Sequence, residues 1–209
     1  MTTDSQITAQ ALNSLELFLG LSLPVLDAAA VAAHLRWVPA GTRIFNQGDE
    51  NVRAHAVIVG SVRICQSGSD GAEVVIRFVC PGEMFGTVAL FTDGRYPADA
   101  TALAETLEVS WSEPELLDLM ARHSQIAINA IRIVGKRLQE VQTRVRELAT
   151  QRAERRVAHA LMRLARQCGH STVAGTAIAL PLRRKDVADI AGTTLRWRGV
   201  REVRAGEMH

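Results

Sequence analysis

Residues 131–148, IRIVGKRLQEVQTRVREL, carry the pattern that decides the architecture of this chain. Apolar side chains recur three and four residues apart there, at Ile131, Val134, Leu138, Val141, Val145 and Leu148. This spacing is the a/d rhythm of a coiled-coil seam, in which each side chain fits between residues of a facing helix. The stripe is narrow and is surrounded by charged residues, so the helix needs a partner. We predict that these six residues form a homodimer interface; the alternative is that the stripe packs on its own domain.

The charge of the chain divides at the same helix. Residues 1–131 contain 7 basic and 15 acidic residues, whereas residues 132–209 contain 17 basic and 7 acidic residues. A basic half is typical of proteins that bind nucleic acid or another anionic surface. A chain of 209 residues with 47% apolar content has room for about two domains. The seam helix is therefore expected to join an acidic front domain to a basic rear domain.

The sequence shows neither an export signal nor the motifs of an enzyme. The first residues, MTTD, lack the basic start and apolar block of a secretory signal, and the small-apolar run at 28–33 is too short to cross a bilayer. A nucleophile elbow, a phosphate loop, a zinc-protease motif and a dinucleotide fingerprint are all missing. We expect a cytoplasmic protein that has no membrane partner and no enzymatic activity.

Periodicity and turn residues predict an α+β chain. Two short helices, the second opened by Pro24, precede strands at 42–45, 56–66, 73–79 and 98–111, separated by glycine turns. Frequent glycine turns between short strands indicate a small barrel or jelly roll. Ser112 has the features of a helix N-cap, and the helix that it opens is expected to end near His123. Three further helices are predicted over 125–149, 151–167 and 184–191, with a pair of short strands at 176–182.

Three stretches of the sequence then match a known pattern. Residues 39–49, PAGTRIFNQGD, look like the strand–turn–strand signature of cyclic-nucleotide-binding jelly rolls. Residues 81–86, PGEMFG, with Ala89-Leu90-Phe91 after them, look like the ligand cradle of those domains. Residues 180–194, LPLRRKDVADIAGTT, resemble the wing strand, first helix and turn of a winged helix-turn-helix. In this order, over about residues 12–195, the chain resembles the Crp/Fnr family of bacterial transcription regulators.

The resemblance implies three parts. These are an effector-sensing, cyclic-nucleotide-binding-like β jelly roll at 12–122, a dimerisation helix at 125–149 and a winged-helix DNA-binding domain at 151–209. After Leu195 the chain departs from the family pattern, and roughly two dozen residues of a complete winged helix are missing. The expected winged helix-turn-helix is therefore incomplete.

The resemblance also places an effector pocket, and it argues against cyclic AMP as the effector. The implied pocket residues are Gly82, Glu83, Phe85, Gly86, Thr87, Tyr96 and Val141. Thr87 stands where nucleotide-binding members have a glutamate for the ribose, and Pro97-Ala98 stand where they have an Arg-Ser pair for the phosphate. Val141 replaces a polar residue that reaches the base. Loss of a charge-assisted clamp on a buried phosphate weakens binding by about 2–5 kcal/mol, so we expect a different small-molecule or gaseous effector.

One stretch of the β region bears on cofactors. Residues 91–97, FTDGRYP, are similar to the family branch that senses nitric oxide through haem. Haem needs an axial His, Cys, Met or Tyr in an apolar pocket, and the sequence singles out none of its candidates. The candidates are His34, His55, Cys65, Cys80 and Tyr96. The iron–sulfur branch is excluded, since it needs several cysteines near the N-terminus and none precedes Cys65.

The basic half supplies the candidate contacts to double-stranded DNA. We expect phosphate contacts from Arg183, Arg184 and Lys185, and groove contacts from Thr193, Thr194, Arg196 and Arg198. The sequence thus predicts an effector-responsive, DNA-binding transcription regulator. The alternative is a truncated dimerisation partner that lacks specific DNA binding and sequesters full-length relatives.

Overall fold

The computed structural model of the chain describes residues 7–173 and 175–193, and it divides after Gln142 into two compact units. We call these unit 1 and unit 2. The described helices are α1 (Ala9–Leu12), α2 (Leu23–Val31), α3 (Glu113–Arg122), α4 (Ser124–Thr150), α5 (Ala153–Cys168) and α6 (Arg184–Ala191). The strands are β1 (His34–Val38), β2 (Arg43–Phe45), β3 (Arg53–Val59), β4 (Val62–Ser67), β5 (Glu73–Val79), β6 (Met84–Phe85), β7 (Asp99–Ala102), β8 (Thr106–Ser112), β9 (Gly169–Thr172) and β10 (Gly175–Ile178).

Strands β1–β8 form a β domain of two four-stranded antiparallel sheets in unit 1. The first sheet has the order β1-β8-β3-β6 and the second β2-β7-β4-β5. The two sheets meet through their aromatic rings, since Phe45 of the second sheet stacks on Phe85 of the first with ring centroids 6.0 Å apart. The predicted mixture of helices with a β domain is confirmed, and the structure shows that this domain has two sheets.

The central strands β3 and β8 of the first sheet are largely buried on both faces, whereas its edge strand β1 is mostly exposed. Ala54 and Ala56 are completely buried, and Trp111 of β8 lies on the same face. The Trp111 indole donates a hydrogen bond of 2.9 Å to the Ala29 carbonyl at the end of α2, and its ring lies 5.0 Å from that of Phe18. The α1–α2 segment therefore covers one face of this sheet, and the opposite face points between the sheets.

Two predicted strands are each divided in two, and Gly60 shows why. The predicted strand 56–66 contains Gly60, whose φ is +91° and whose backbone lies so close to Glu105 that a Cβ atom would stand 2.6 Å from its carbonyl oxygen. β3 therefore ends at Val59 and the chain turns into β4 of the other sheet. The predicted strand 98–111 likewise divides into β7 of the second sheet and β8 of the first.

Helix starts and stops follow the predicted signals closely. The Ser112 backbone amide and hydroxyl both donate to the Glu115 carboxylate at 2.7 Å, which is a capping box at the start of α3. The helix expected to stop near His123 ends at Arg122, and the seam helix expected at 125–149 is α4. Gly192 ends α6 in the left-handed region with a φ of +61°.

Helix α4 has two apolar faces with different surroundings. Ile126 and Ile133 are buried in the core of unit 1, and the Asn129 amide donates to the carbonyls of Leu17 and Leu19 at 3.0 Å each. The seam residues lie on another face and are 44–71% exposed in the single chain. Ile126 and Ile133 supply the contact of α4 with the core of unit 1, and the stripe is not part of that core.

Unit 2 consists of the last turns of α4 with α5, α6 and a hairpin of β9 and β10. The predicted helices 151–167 and 184–191 are present as α5 and α6. The strand pair predicted at 176–182 lies earlier in the chain, because Gly169 begins β9 rather than only ending α5. Residues 194–209, which include the divergent segment after Leu195, lie outside the described residues.

Candidate functional site

Unit 1 contains a cleft of about 600 Å³ in the β domain. It is large enough for a small organic ligand. Its lining residues come from β1, β2, β3, β8 and the loops between them: His34, Arg36, Ile44, Phe45, Asp49, Glu50, Asn51, Arg53, His55, Tyr96, Glu108 and Ser110. We call this feature the polar cleft.

A chain of buried hydrogen bonds forms the floor of the polar cleft. The His55 ring contacts the Glu108 carboxylate through Nδ1 at 3.0 Å and the Tyr96 hydroxyl through Nε2 at 3.1 Å. The Tyr96 hydroxyl accepts from the Arg53 amide at 2.7 Å and lies 3.1 Å from the Arg53 carbonyl. The single proton of the Tyr96 hydroxyl lies between two acceptors at the same distance, the Arg53 carbonyl and His55 Nε2, and the tautomer of His55 sets which of them receives it. The floor is therefore fully hydrogen-bonded and oriented.

Glu108 is the ionic centre of this floor. Its side chain is 2% exposed and accepts a hydrogen bond of 2.8 Å from Arg36 Nε in addition to its contact with His55. Burial opposes ionisation, but the hydrogen bond and charge of His55, followed by those of Arg36, outweigh it and hold the pKa of Glu108 below its usual value. Burial also raises the pKa of the Tyr96 phenol above its usual value, so that this hydroxyl stays protonated. The floor carries one negative charge between two basic side chains.

Aromatic rings fill the space below the floor. The Phe45 and Tyr96 rings stack with centroids 3.7 Å apart and planes inclined by 5°, and His55 stacks on Phe85 at 5.0 Å. Gly86 lies directly behind them, because a Cβ atom on it would be 3.0 Å from the His55 ring and 3.1 Å from the Tyr96 ring. The glycine segment that the sequence predicted as a ligand cradle is thus packed against the protein's own side chains.

The rim of the cleft carries both signs of charge on different elements. Arg36 of β1 and Arg53 of β3 are cationic, and Arg53 is oriented by hydrogen bonds to the Ser110 hydroxyl at 3.0 Å and carbonyl at 3.3 Å. The loop between β2 and β3 contributes Asp49 and Glu50. This loop is exposed, and Glu50 also pairs with Arg95.

The predicted effector-pocket residues fall in several places. Tyr96 lines the polar cleft, and Phe85 and Gly86 lie immediately behind its floor. Thr87 lines a separate narrow crevice with Ile133 and Val134 of α4. The remaining three lie elsewhere: Gly82 and Glu83 occupy the turn before β6, and Val141 is exposed on α4.

The floor of the cleft does not fit a haem. Both ring nitrogens of His55 and the Tyr96 hydroxyl already have hydrogen-bond partners within the protein, and charged side chains line the space above them. An axial ligand needs a free donor atom in an apolar pocket, which this floor does not provide. Within residues 7–173 and 175–193 we also find no group of three or more His, Cys, Asp and Glu side chains arranged to hold a metal ion.

Sequence reasoning missed most of this site. Arg36, Arg53, Glu108 and Ser110 received no role, and His55 was considered only as a haem ligand. A signal was present in residues 53–56, RAHA, where polar and small residues alternate with a period of two. This pattern is typical of a strand with one face on a core and the other on a polar interior.

The candidate DNA contacts in unit 2 are placed near the start and end of α6. Arg183 and Lys185 are exposed; Arg183 pairs with Asp186 at 3.0 Å, and Lys185 pairs with Asp189 at 2.7 Å. The Thr193 amide donates to the Ala188 carbonyl just beyond α6. Arg184 begins α6, whereas Thr194, Arg196 and Arg198 lie outside the described residues.

None of the described helices combines the length with the apolar composition that a membrane-crossing segment requires.

Comparison with known proteins gives a consistent result. The cyclic nucleotide-binding domain family matches residues 35–123. The cyclic AMP receptor protein of Thermus thermophilus is 31% identical over 178 residues, which cover 85% of this chain and 79% of that protein. The nitrogen fixation regulation protein FixK of Rhizobium meliloti is 29% identical over 155 residues, covering 74% and 67%. The structure of FixK2 from Bradyrhizobium japonicum matches with a TM-score of 0.67 and 25% identity, covering 78% of each chain.

Proposed function

Because the chain belongs to the Crp/Fnr family of transcription regulators, we propose that it acts in the cytoplasm as a homodimeric, effector-responsive regulator that binds double-stranded DNA. We further propose that its effector is a small molecule other than cyclic AMP. The relatives named above are regulators rather than enzymes, and the charge division of the chain supports the same interpretation.

The observation that carries this proposal is the double role of α4. One face of this 27-residue helix is buried in unit 1 through Ile126 and Ile133, while its last turns belong to unit 2. Its seam residues are left uncovered, with Ile131 71% and Val145 59% exposed. A second copy of the chain is the partner that an a/d seam suits best. An effector that alters the packing of α4 would then act on two DNA-binding units at once.

The β domain supports an effector other than cyclic AMP. Thr87, Pro97 and Ala98, at the positions where nucleotide-binding relatives have a glutamate and an Arg-Ser pair, offer no charge to a ribose or a phosphate. A cyclic nucleotide would therefore lack its usual ionic partners.

The basic half supports contact with DNA. The turn before α6 presents the exposed cation Arg183 at a helix N-terminus, an arrangement suited to phosphate contacts. The order of α5, the hairpin β9–β10 and α6 is the one expected for the early part of the proposed winged helix-turn-helix. We propose that Thr193, Thr194, Arg196 and Arg198 contribute groove contacts.

The test is an electrophoretic shift of the full chain with an inverted-repeat operator and with a scrambled duplex, at 50 and 200 mM salt. We expect tighter binding to the operator, a steep loss of affinity with salt and no response to cyclic AMP. Equal affinity for both duplexes would contradict specific regulation and support the truncated, sequestering partner instead. A response to cyclic AMP at micromolar concentration would contradict the proposed effector class.

A further inference from the structure

We propose that the polar cleft is the effector site, and that it binds a small zwitterion of the amino-acid class, with a carboxylate held by Arg36 and Arg53 and an ammonium group held by the Asp49–Asn51 loop. This inference rests on the proposed function for its regulatory meaning, while the binding itself is independent of DNA. The site differs from the glycine cradle that the sequence predicted.

The distribution of charge in the cleft selects a ligand with both signs. Glu108 is 2% exposed and paired with Arg36 and His55, so it is not available to a ligand ammonium, whereas the Arg36 side chain in the same pair is 55% exposed. The acidic groups at the rim, Asp49 and Glu50, belong to the β2–β3 loop, whereas the guanidinium groups belong to strands of the first sheet. A simple anion would meet the loop carboxylates, and a simple cation would meet the arginines. A zwitterion satisfies both sets of charges.

The volume of the polar cleft and the side chains at its floor also favour a ligand of the amino-acid class. A volume of about 600 Å³ is generous for an amino acid and leaves room for its side chain and for water. Phe45, with Tyr96 stacked on it, offers an apolar surface at the floor, beside the charged rim. The Arg53 guanidinium is oriented in advance, because its Nε and Nη2 donate to Ser110 and Nη2 also lies 3.7 Å from the Glu115 carboxylate; Nη1 faces a ligand carboxylate in the proposed complex.

A continuous set of contacts within unit 1 connects this cleft to α4. The Tyr96 ring at the floor abuts Gly86, and the next residue, Thr87, lines a crevice together with Ile133 and Val134 of α4. Val134 is itself a seam residue. A ligand that moves Tyr96 therefore acts on the segment that contacts the proposed dimerisation helix, and this gives the cleft a regulatory role.

The experiment uses the full chain and isothermal titration calorimetry with glycine, L-leucine, L-glutamate and L-arginine, each compared with its N-acetyl and its amide derivative. We expect at least one amino acid to bind, with both derivatives weaker by at least tenfold because each lacks one charge. Arg53→Gln and Glu50→Gln should each weaken that binding about tenfold. Arg122→Gln, on α3 and outside the cleft, is the matched control and should bind like the wild type. Glu50 is exposed, so its variant stays folded even where Arg53→Gln does not.

Four outcomes decide the matter. Binding that needs both charges and falls in the cleft variants supports the site. The site proposal is overturned if none of the four amino acids binds at 10 mM, if the derivatives bind equally well, or if Glu50→Gln has no effect. An operator shift measured in parallel keeps the two proposals separate: specific DNA binding without amino-acid binding removes only the cleft proposal, and amino-acid binding without specific DNA binding removes only the proposed function.

Discussion

At the scale of single residues, the β domain depends on a buried carboxylate and on a glycine. A carboxylate with 2% exposure is costly unless it is paired, and Glu108 is paired with Arg36 and with His55. Gly60 allows the chain to pass from one sheet to the other where any side chain would meet the backbone of Glu105. The need for a carboxylate at position 108 and for glycine at position 60 comes from residues that are close in the folded chain but distant in sequence.

We expect Glu108→Gln to lower the free energy of unfolding by about 2 kcal/mol. Removal of one partner from a buried pair costs about 3–5 kcal/mol, but the Arg36 side chain is 55% exposed and is partly hydrated when unpaired, so the expected cost is smaller. Urea denaturation measures this change. Glu50→Gln, at the exposed rim, is the control and should change stability by less than about 0.5 kcal/mol. Equal stability of wild type and Glu108→Gln would show that the floor network is not structural.

Gly60→Ala should destabilise the β domain by about 2–4 kcal/mol. Its φ of +91° is strained for a residue with a side chain, and its Cβ would lie 2.6 Å from the Glu105 carbonyl oxygen. Gly71→Ala is the matched control, because it has a φ of +77° but no atom within 4 Å of a Cβ, and it should cost only about 1–2 kcal/mol. Denaturation midpoints of both variants separate steric overlap from backbone strain. Equal losses in the two would contradict the close approach at Gly60.

Among the secondary-structure elements, α4 is unusual because it has two apolar faces, one buried and one exposed. Ile126 and Ile133 face the core of unit 1, while the six seam residues repeat on an exposed face. If all the apolar residues of α4 packed on unit 1, the six seam residues would be buried. The exposed seam is the surface that the proposed homodimer would cover.

We expect Leu138→Asp to convert the dimer to a monomer while unit 1 stays folded. Leu138 is 56% exposed in the single chain, so a charge there costs nothing to the isolated fold but is buried without a partner in a paired seam. Sedimentation velocity at micromolar concentration measures the change. Gln139→Asp places the same charge on the next, exposed position and should remain dimeric. A monomeric wild-type chain would remove the dimer proposal altogether.

At the scale of the whole molecule, buried or capped carboxylates stabilise both units. Glu108 and Glu115 lie in unit 1, and Glu147 lies in unit 2. Burial opposes ionisation of Glu147, but hydrogen bonds from Arg163 and His159 hold its pKa below the usual value. The Ser112 hydroxyl and amide have the same effect on the pKa of Glu115 against its burial.

The lowered pKa values of these three carboxylates predict that the protein loses stability in acid. A carboxylate whose pKa is lower in the folded than in the unfolded chain contributes stability that is fully present above the unfolded value, near 4.5, and is lost as the pH falls through the folded value. We expect the urea midpoint of the wild type to fall as the pH decreases from 6 to below 4.5. Glu108→Gln should show a smaller dependence than the wild type. An unchanged midpoint over this range would contradict the shifts.

Much of the secondary structure could be predicted from the sequence because its signals are local. The capping residues Ser112 and Gly192 mark the start of α3 and the end of α6, and the heptad pattern predicts α4 to within one residue at each end. Strand 73–79 follows from β-branched residues between turns. Of the seven residues predicted for the effector pocket, only Tyr96 lines the polar cleft, because the other cleft residues meet through strand pairing.

The helices, the seam pattern and the charge division between the halves can thus be read from the amino-acid order alone. The sheet that each strand joins and the side chains that meet in the polar cleft could not be read in this way. His55 and Glu108 are 53 positions apart and become partners only because β3 pairs with β8. Strand pairing over such separations depends on the packing of both sheets together, and local sequence patterns do not predict it.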